Sequence, residues 1–248
     1  MRGGGPYWDQ LRGRLEHWRK IGLREGTAAW RLLMFGLELP VGYSERPPEE
    51  VPAYRLTVEE RTFWAEEAPR LIGLGVLRAA RVGEEVYCSP AFFVPKKGKR
   101  AYRLVVDMRE INKLLPPIPC VLPRLIPFLR FIAGLEWVGE GHLLVLDISD
   151  AFYCIGVGGE AQALLGVGVE GSPPFVYTGL PMGLCWSPGK LMTLQRVVRD
   201  HFRRRGVPCI VYLDDWLLLV KDHSEAVSIQ RELEDLGFAF DHPSRGAP

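Results

Sequence analysis

IVYLDDWLLLV, residues 210–220, is an apolar run of strand-forming residues with two adjacent carboxylates, Asp214 and Asp215, in its middle. Burying one unpaired carboxylate costs several kcal/mol or forces it to take up a proton. Two side by side require a turn that lifts them into solvent, or a cation that holds them. Val, Ile, Tyr and Leu on one side and Trp and Leu on the other read as two short strands, so the pair falls at the bend of a hairpin. Taken alone, the stretch fits an ordinary turn as well as a metal site, because Asp is a common turn residue.

The chain of 248 residues is long enough for one large domain or two small ones. Its apolar fraction of 47% and charged fraction of 25% are those of a soluble globular protein. The formal net charge of +1 conceals local clustering. Lys96, Lys97, Lys99, Arg100 and Arg103 form one basic group; Arg199, Arg203, Arg204 and Arg205 form another. The five cysteines are scattered without a C-x-x-C pair, which argues against a disulfide framework or a zinc site. A reducing, intracellular compartment is the expectation. The start does not resemble a signal peptide and no apolar stretch is long enough to span a bilayer, so no membrane partner is expected.

Along the chain, the spacing of Leu11, Leu15 and Trp18 predicts a helix over 11–21. Thr57 with Glu60 fits a capping box, predicting a helix from about Val58 that Pro69 interrupts. Residues 86–95 and 102–107 read as a hairpin with a basic tip. Pro116, Pro117, Pro119 and Pro123 then break the chain into extended or irregular segments. HLLVLDI (142–148) suits a buried strand ending in Asp147, with Ser149 or Asp150 capping a helix that begins Ala151-Phe152-Tyr153. Residues 175–178 form another strand candidate. Ser187 and Pro188 open a helix whose apolar face is Leu191, Leu194, Val198 and Phe202 and which Gly206 ends. Ser224 is the expected cap of a last helix, stopped by Gly237 ahead of a short strand at 238–240. From Leu143 onward this order gives an α+β layer, helices packed on one sheet.

Asp147 and the Asp214–Asp215 pair each lie at the end or bend of an apolar strand. Neighbouring strands would bring these carboxylates to one sheet edge, where they repel unless a divalent cation fills the gap. Oxygen ligands without His or Cys suit Mg²⁺ or Mn²⁺. Two such ions are the apparatus of nucleotidyl transfer. None of the five histidines has metal-ligand spacing.

Four stretches, in order, resemble the fingers and palm of a reverse transcriptase. They are YRLVVDMREIN (102–112), LDISDAFY (146–153), LPMGLCWSP (180–188) and YLDD (212–215). Each alone is weak; together, across roughly 86–241, they are a strong signal. LPMGL, VPKKGK and the upstream RLEHW and GLELP are similar to retrotransposon enzymes of the DIRS-like or Ty3-like type. The resemblance implies an α+β fold, a polymerase palm with an antiparallel sheet and helices on one face, plus a fingers subdomain. It implies an RNA-directed DNA polymerase that adds dNTPs to a primer on an RNA or DNA template with two Mg²⁺ or Mn²⁺ ions.

By the same resemblance Asp147, Asp214 and Asp215 are the catalytic residues, with Ile148 joining them in the metal site. Lys96 (or Lys97, one register on), Arg103, Asp150, Ala151, Phe152, Met182 and Gly183 would meet the nucleotide, the two cations closing over the β- and γ-phosphates. Leu180, Pro181 and Tyr212 would lie against template and primer. Phe152, five residues after Asp147, occupies the steric-gate position, where a ring clashes with a ribose 2′-OH; without the motif a core aromatic is the preferred reading. Asp107 with Arg109 is expected to form a structural ion pair, and Ser187 to act as a cap.

Two departures from the family pattern stand out. Met182 replaces the Gln of retroviral enzymes. Beyond Phe240 the chain runs into HPSRGAP in place of the lysine-bearing loop, primer grip and thumb. The expected organisation is therefore a helical leader and linker over 1–80, then fingers (about 81–135) and palm (about 136–242), with the thumb absent. The rival to a polymerase is a truncated remnant of such an element that at most binds nucleic acid. A palm-like nucleotide cyclase fits less well, having no use for LPMGLCWSP or the basic hairpin.

Overall fold

In the computed structural model, which describes residues 6–95, 102–135 and 140–240, short helices come first. They are α1 (Asp9–Arg12), α2 (Leu15–Lys20), α3 (Ala28–Phe35) and α4 (Val58–Gly73). Strands β1 (Leu77–Ala79), β2 (Cys88–Pro95) and β3 (Tyr102–Val106) come after them, then α5 (Arg109–Leu114) and α6 (Leu125–Ala133). Next are β4 (His142–Asp147), α7 (Gly159–Gln162), β5 (Gly166–Gly168) and β6 (Phe175–Tyr177). The chain ends in α8 (Ser187–Arg204), β7 (Cys209–Tyr212), β8 (Asp215–Val220) and α9 (His223–Asp235). These elements gather into two compact units. No helix among the described residues is long and apolar enough to cross a membrane.

The first unit comprises Met1–Asp9, Met34–Ile118 and Phe152–Ser187. Its five-stranded sheet has the order β1-β6-β5-β2-β3, with β2 and β5 parallel and every other pair antiparallel. Strand β6 therefore belongs here and not with the sheet that carries the aspartates. Helix α4 starts at a capping box: the Thr57 hydroxyl accepts from Glu60 N–H and the Glu60 carboxylate from Thr57 N–H. It also runs through Pro69 to Gly73, where the sequence predicts a break. The carbonyl that Pro69 leaves without its helical donor is offset by burial of Trp64, Ala68 and Leu71 on either side. Trp64 stacks edge-on with Phe175 and donates its indole N–H to Ser172 Oγ.

The second unit comprises Gln10–Leu33, Pro119–Ala151 and Pro188–Pro248. Its sheet is antiparallel, in the order β4-β8-β7, so β4 lies at its edge among the described residues with Leu143 and Val145 exposed, and is not the buried strand that its apolar run predicts. Alternation along β8 divides the packing. Trp216 faces Phe202 of α8 and Phe238, and Phe238 in turn meets Trp18, whose indole donates to Leu236 O at 3.0 Å. Leu217 and Leu219 face the other way, where Phe128 and Ile132 of α6 pack with Ile210. Helix α9 is capped by Asp222, whose carboxylate accepts from Glu225 N–H, and not by Ser224. An Asp cap gains from the helix dipole as well as from the hydrogen bond.

Candidate active site

Strand β8 sits at the centre of its sheet, so its first residue has a neighbour on each side. Asp215 is directly opposite Asp147 on β4 and directly opposite Tyr212 on β7. Leu213 and Asp214 form the two-residue connection between β7 and β8. The three aspartates and Tyr212 are exposed at this one edge. A directly opposed like-charged pair costs on the order of half a kcal/mol. Nothing in the folding of the sheet requires it.

The strand ends are fixed by backbone bonds. Ile148 N–H donates to Asp214 O at 2.9 Å, tying the residue after Asp147 to the turn. Ser149 N–H donates to Ala239 O at 2.9 Å, and Ile148 forms an antiparallel bridge with Phe240. Beyond this clamp Asp150 takes φ 52°, and the expected helix is a single 3₁₀ turn, Ala151–Cys154.

The turn itself is strained. Leu213 has φ 55° whereas Asp214 does not have positive φ, the pattern of a type II′ turn, whose first position normally holds glycine. A leucine there costs about 1–3 kcal/mol. Its carbonyl accepts a short hydrogen bond from Nε2 of Gln195, a wholly buried residue of α8. The Gln195 Oε1 atom is buried and has no hydrogen-bond partner among the described residues. The sequence holds one signal for this residue: a polar side chain adjoining the apolar stripe of Leu191, Leu194, Val198 and Phe202.

Among the described residues no three His, Cys, Asp or Glu side chains converge as a ready-made metal cage. The edge supplies carboxylates in register and a turn that carries one of them.

The first unit brings two other motifs into contact. Asn112 Nδ2 donates to Gly183 O at 3.0 Å and Asn112 Oδ1 accepts from Cys185 N–H at 2.8 Å, so one side chain clamps the 180–188 loop. Gly183 has φ 97°, and a Cβ there would meet Val106 O at 2.8 Å; only glycine fits. Leu180 N–H donates to Ile155 O at 2.7 Å, and Ser187 Oγ donates to Pro181 O at 2.6 Å. Met182 is half-buried beside them, and Phe152 is half-buried elsewhere in the unit.

Arg103 is exposed on β3, opposite Val94. Lys96 and Lys97 lie outside the described residues. Asp107 and Arg109 form a two-pronged ion pair at 2.8 and 2.6 Å, to which the Tyr54 hydroxyl adds a bond at 2.8 Å. Arg109 foremost, then Tyr54, hold the Asp107 carboxyl at about 2 against the opposing effect of partial burial. The group borders a cavity of about 600 Å³ that Phe92, Met108 and Asn112 also line. Tyr54 was not legible as its partner, because 53 residues separate it from Asp107.

The chain is similar to known proteins. A family model described as "Reverse transcriptase (RNA-dependent DNA polymerase)" matches residues 94–238. The chain is 28% identical over 197 residues to the Gag-Pol polyprotein of avian reticuloendotheliosis virus, covering 75% of this chain and 16% of that one. It is 29% identical over 205 residues to the Pol polyprotein of feline endogenous virus ECE1, covering 77% and 19%. The crystal structure of prototype foamy virus protease-reverse transcriptase superposes with a TM-score of 0.59 at 20% identity, over 79% of this chain and 25% of that one. At that identity the likeness speaks for the fold. The chain thus spans less than a fifth of either polyprotein.

Proposed function

Because the chain belongs to the reverse transcriptase (RNA-dependent DNA polymerase) family, we propose that the edge bearing Asp147, Asp214 and Asp215 performs nucleotidyl transfer. A primer 3′-hydroxyl gives up its proton to solvent and attacks the α-phosphorus of a dNTP; a new P–O bond forms and pyrophosphate leaves with the electrons of the broken one. The observation that carries this reading is the register of Asp147 against Asp215 beside a turn that presents Asp214.

The donor set fits a hard divalent cation, since it offers oxygens alone and includes a like-charged pair that a cation would relieve. Asp147, Asp214 and the Ile148 carbonyl would hold it, with Asp215 nearest the primer terminus. When bound, two Mg²⁺ or Mn²⁺ ions supply the charge that activates the attacking oxygen and steadies the leaving group.

The remaining roles belong to the chain. Arg103 and Lys96 stabilise charge on the β- and γ-phosphates, where oriented cations act without reorganisation. Asp150 and Ala151 flank the triphosphate. Phe152 excludes a 2′-hydroxyl, and Gly183 with Met182 lets the loop backbone approach the nucleotide closely. Leu180, Pro181 and Tyr212 bear on an RNA or DNA template and its primer. In this reading residues of about 81–135 act as fingers and those of about 136–242 as palm. The finer placing, as a DIRS-like or Ty3-like element, rests on LPMGL and VPKKGK.

The test is incorporation of labelled dTTP on poly(rA) primed with oligo(dT), in Mg²⁺. The polymerase reading expects template-dependent primer growth. Retained primer–template binding without growth at any protein concentration identifies a nucleic-acid-binding remnant instead. Product formed from ATP or GTP alone would point to a cyclase.

A further inference from the structure

We propose that Gln195 is a positioning residue, a buried latch that selects the form of the turn presenting Asp214. The inference rests on the polymerase reading of that turn. It is carried by the juxtaposition of a fully buried amide on α8, a strained Leu213 and the carbonyl between Leu213 and Asp214.

A two-residue hairpin turn has two favoured forms, and both place its first residue at positive φ. In type II′ the second residue has negative φ; in type I′ it too is positive. The forms interconvert by rotating the central peptide, here Leu213–Asp214. Because that peptide is planar, the direction of the Leu213 carbonyl fixes the plane from which the Asp214 Cα and its carboxylate depart. Gln195 Nε2 holds this carbonyl. Asp tolerates the left-handed region better than most residues, so type I′ is open to this sequence once the latch is gone.

The chemistry of position 195 supports the assignment. The other buried polar side chains among the described residues are all serines, so Gln195 is the only buried amide there. Its unpartnered oxygen is a standing cost that an apolar side chain of the same size would remove. Stability alone favours Leu or Met. What the amide adds is a donor aimed at the turn.

The experiment compares the full chain with Gln195→Met, which keeps the volume and removes the donor, with Leu213→Gly, and with the two combined. Glycine in the first position favours type II′ without a latch. Three readouts are taken: single-dTTP addition on primed poly(rA), Mn²⁺ affinity by electron paramagnetic resonance without nucleic acid, and thermal midpoint. We expect Gln195→Met to lower the rate of addition at saturating dTTP by about tenfold or more, the worth of one oriented hydrogen bond, with the KM for dTTP little changed. Mn²⁺ affinity should fall in parallel while the midpoint holds or rises, and Leu213→Gly should restore both rate and affinity.

Wild-type rate and Mn²⁺ affinity in Gln195→Met would overturn the proposal. So would losses that track a fallen midpoint and resist Leu213→Gly. If the wild-type chain neither adds dTTP nor binds Mn²⁺, the polymerase reading fails. The latch is then judged by unfolding: non-additive effects of the two substitutions sustain it and additive ones overturn it.

Discussion

Replacing Gly183 by alanine tests how tightly the 180–188 loop is seated on β3, and the structure provides its own control. Gly183 has φ 97° and Gly171 has φ 74°, so alanine is strained at both positions. That shared cost is about 1–2 kcal/mol. The positions differ in surroundings: a Cβ at 171 meets nothing within 4 Å, whereas a Cβ at 183 comes 2.8 Å from Val106 O. That oxygen is main-chain, at the end of a strand paired to Ala91, and cannot swing aside. Nor can the loop easily retreat, since Asn112 holds it at both Gly183 O and Cys185 N–H. Overpacking of this kind adds about 1–3 kcal/mol. The expected totals are about 1–2 kcal/mol for Gly171→Ala and about 2–5 kcal/mol for Gly183→Ala. Urea unfolding of both variants, read as the change in midpoint at constant slope, measures the difference. Equal losses at the two positions would refute the claimed close approach.

The same geometry has other consequences. Asp215→Asn removes one partner of the opposed pair with Asp147; dTTP addition should vanish while stability holds or gains about half a kcal/mol, and a stability loss above about 1 kcal/mol would show the carboxylate to be a structural group. Phe152→Ala should raise incorporation of UTP relative to dTTP by about tenfold or more, measured in competition on one template; an unchanged ratio assigns the ring to the core. Asp107 and Glu84 are held at about 2, by Arg109 and by Arg78 with the Arg81 N–H, against ordinary values of 3.8 and 4.5. Between pH 4.5 and 2 the unfolded chain binds protons that the folded chain refuses. Stability should therefore fall as pH drops through this window, and Asp107→Asn with Glu84→Gln should flatten the slope of urea midpoint against pH. A slope the double variant leaves unchanged would mean these two pairs are not its source.

The hairpin was legible because its two strands are apolar and its polar residues fall together at the bend, so that period and composition agree. Helix α4 was legible at its start, where Thr57 and Glu60 bond reciprocally, but not at its end, because burial of Leu71 outweighs the cost of Pro69. Helix α6 was hidden by the prolines around it. Pro127 is its third residue, among the first four whose N–H groups have no helical acceptor, so the ring costs the helix no bond. The helix predicted over 11–21 is two short ones, α1 and α2, parted at Gly13 and Arg14. The apolar spacing of Leu11, Leu15 and Trp18 runs straight across that break, and Gly13, a poor residue for a helix interior, was its one warning. The candidate site divides along the same line. The aspartates announce themselves as charges in apolar strands. Gln195 and Tyr54 act through contacts 18 and 53 residues away, which spacing along the chain does not reveal.

The central claim is that Asp147, Asp214 and Asp215 act as one site. Its most direct measurement is the rate of single-dTTP addition to primed poly(rA) for the three Asp→Asn variants beside Asp200→Asn. Asp200 is a half-exposed residue of α8 paired with Arg199. The account predicts losses of about a thousandfold or more at each of the three, as expected when an electrostatic stabiliser of the transition state is removed, and wild-type rates for Asp200→Asn. Rates for the three variants indistinguishable from that of Asp200→Asn would contradict it.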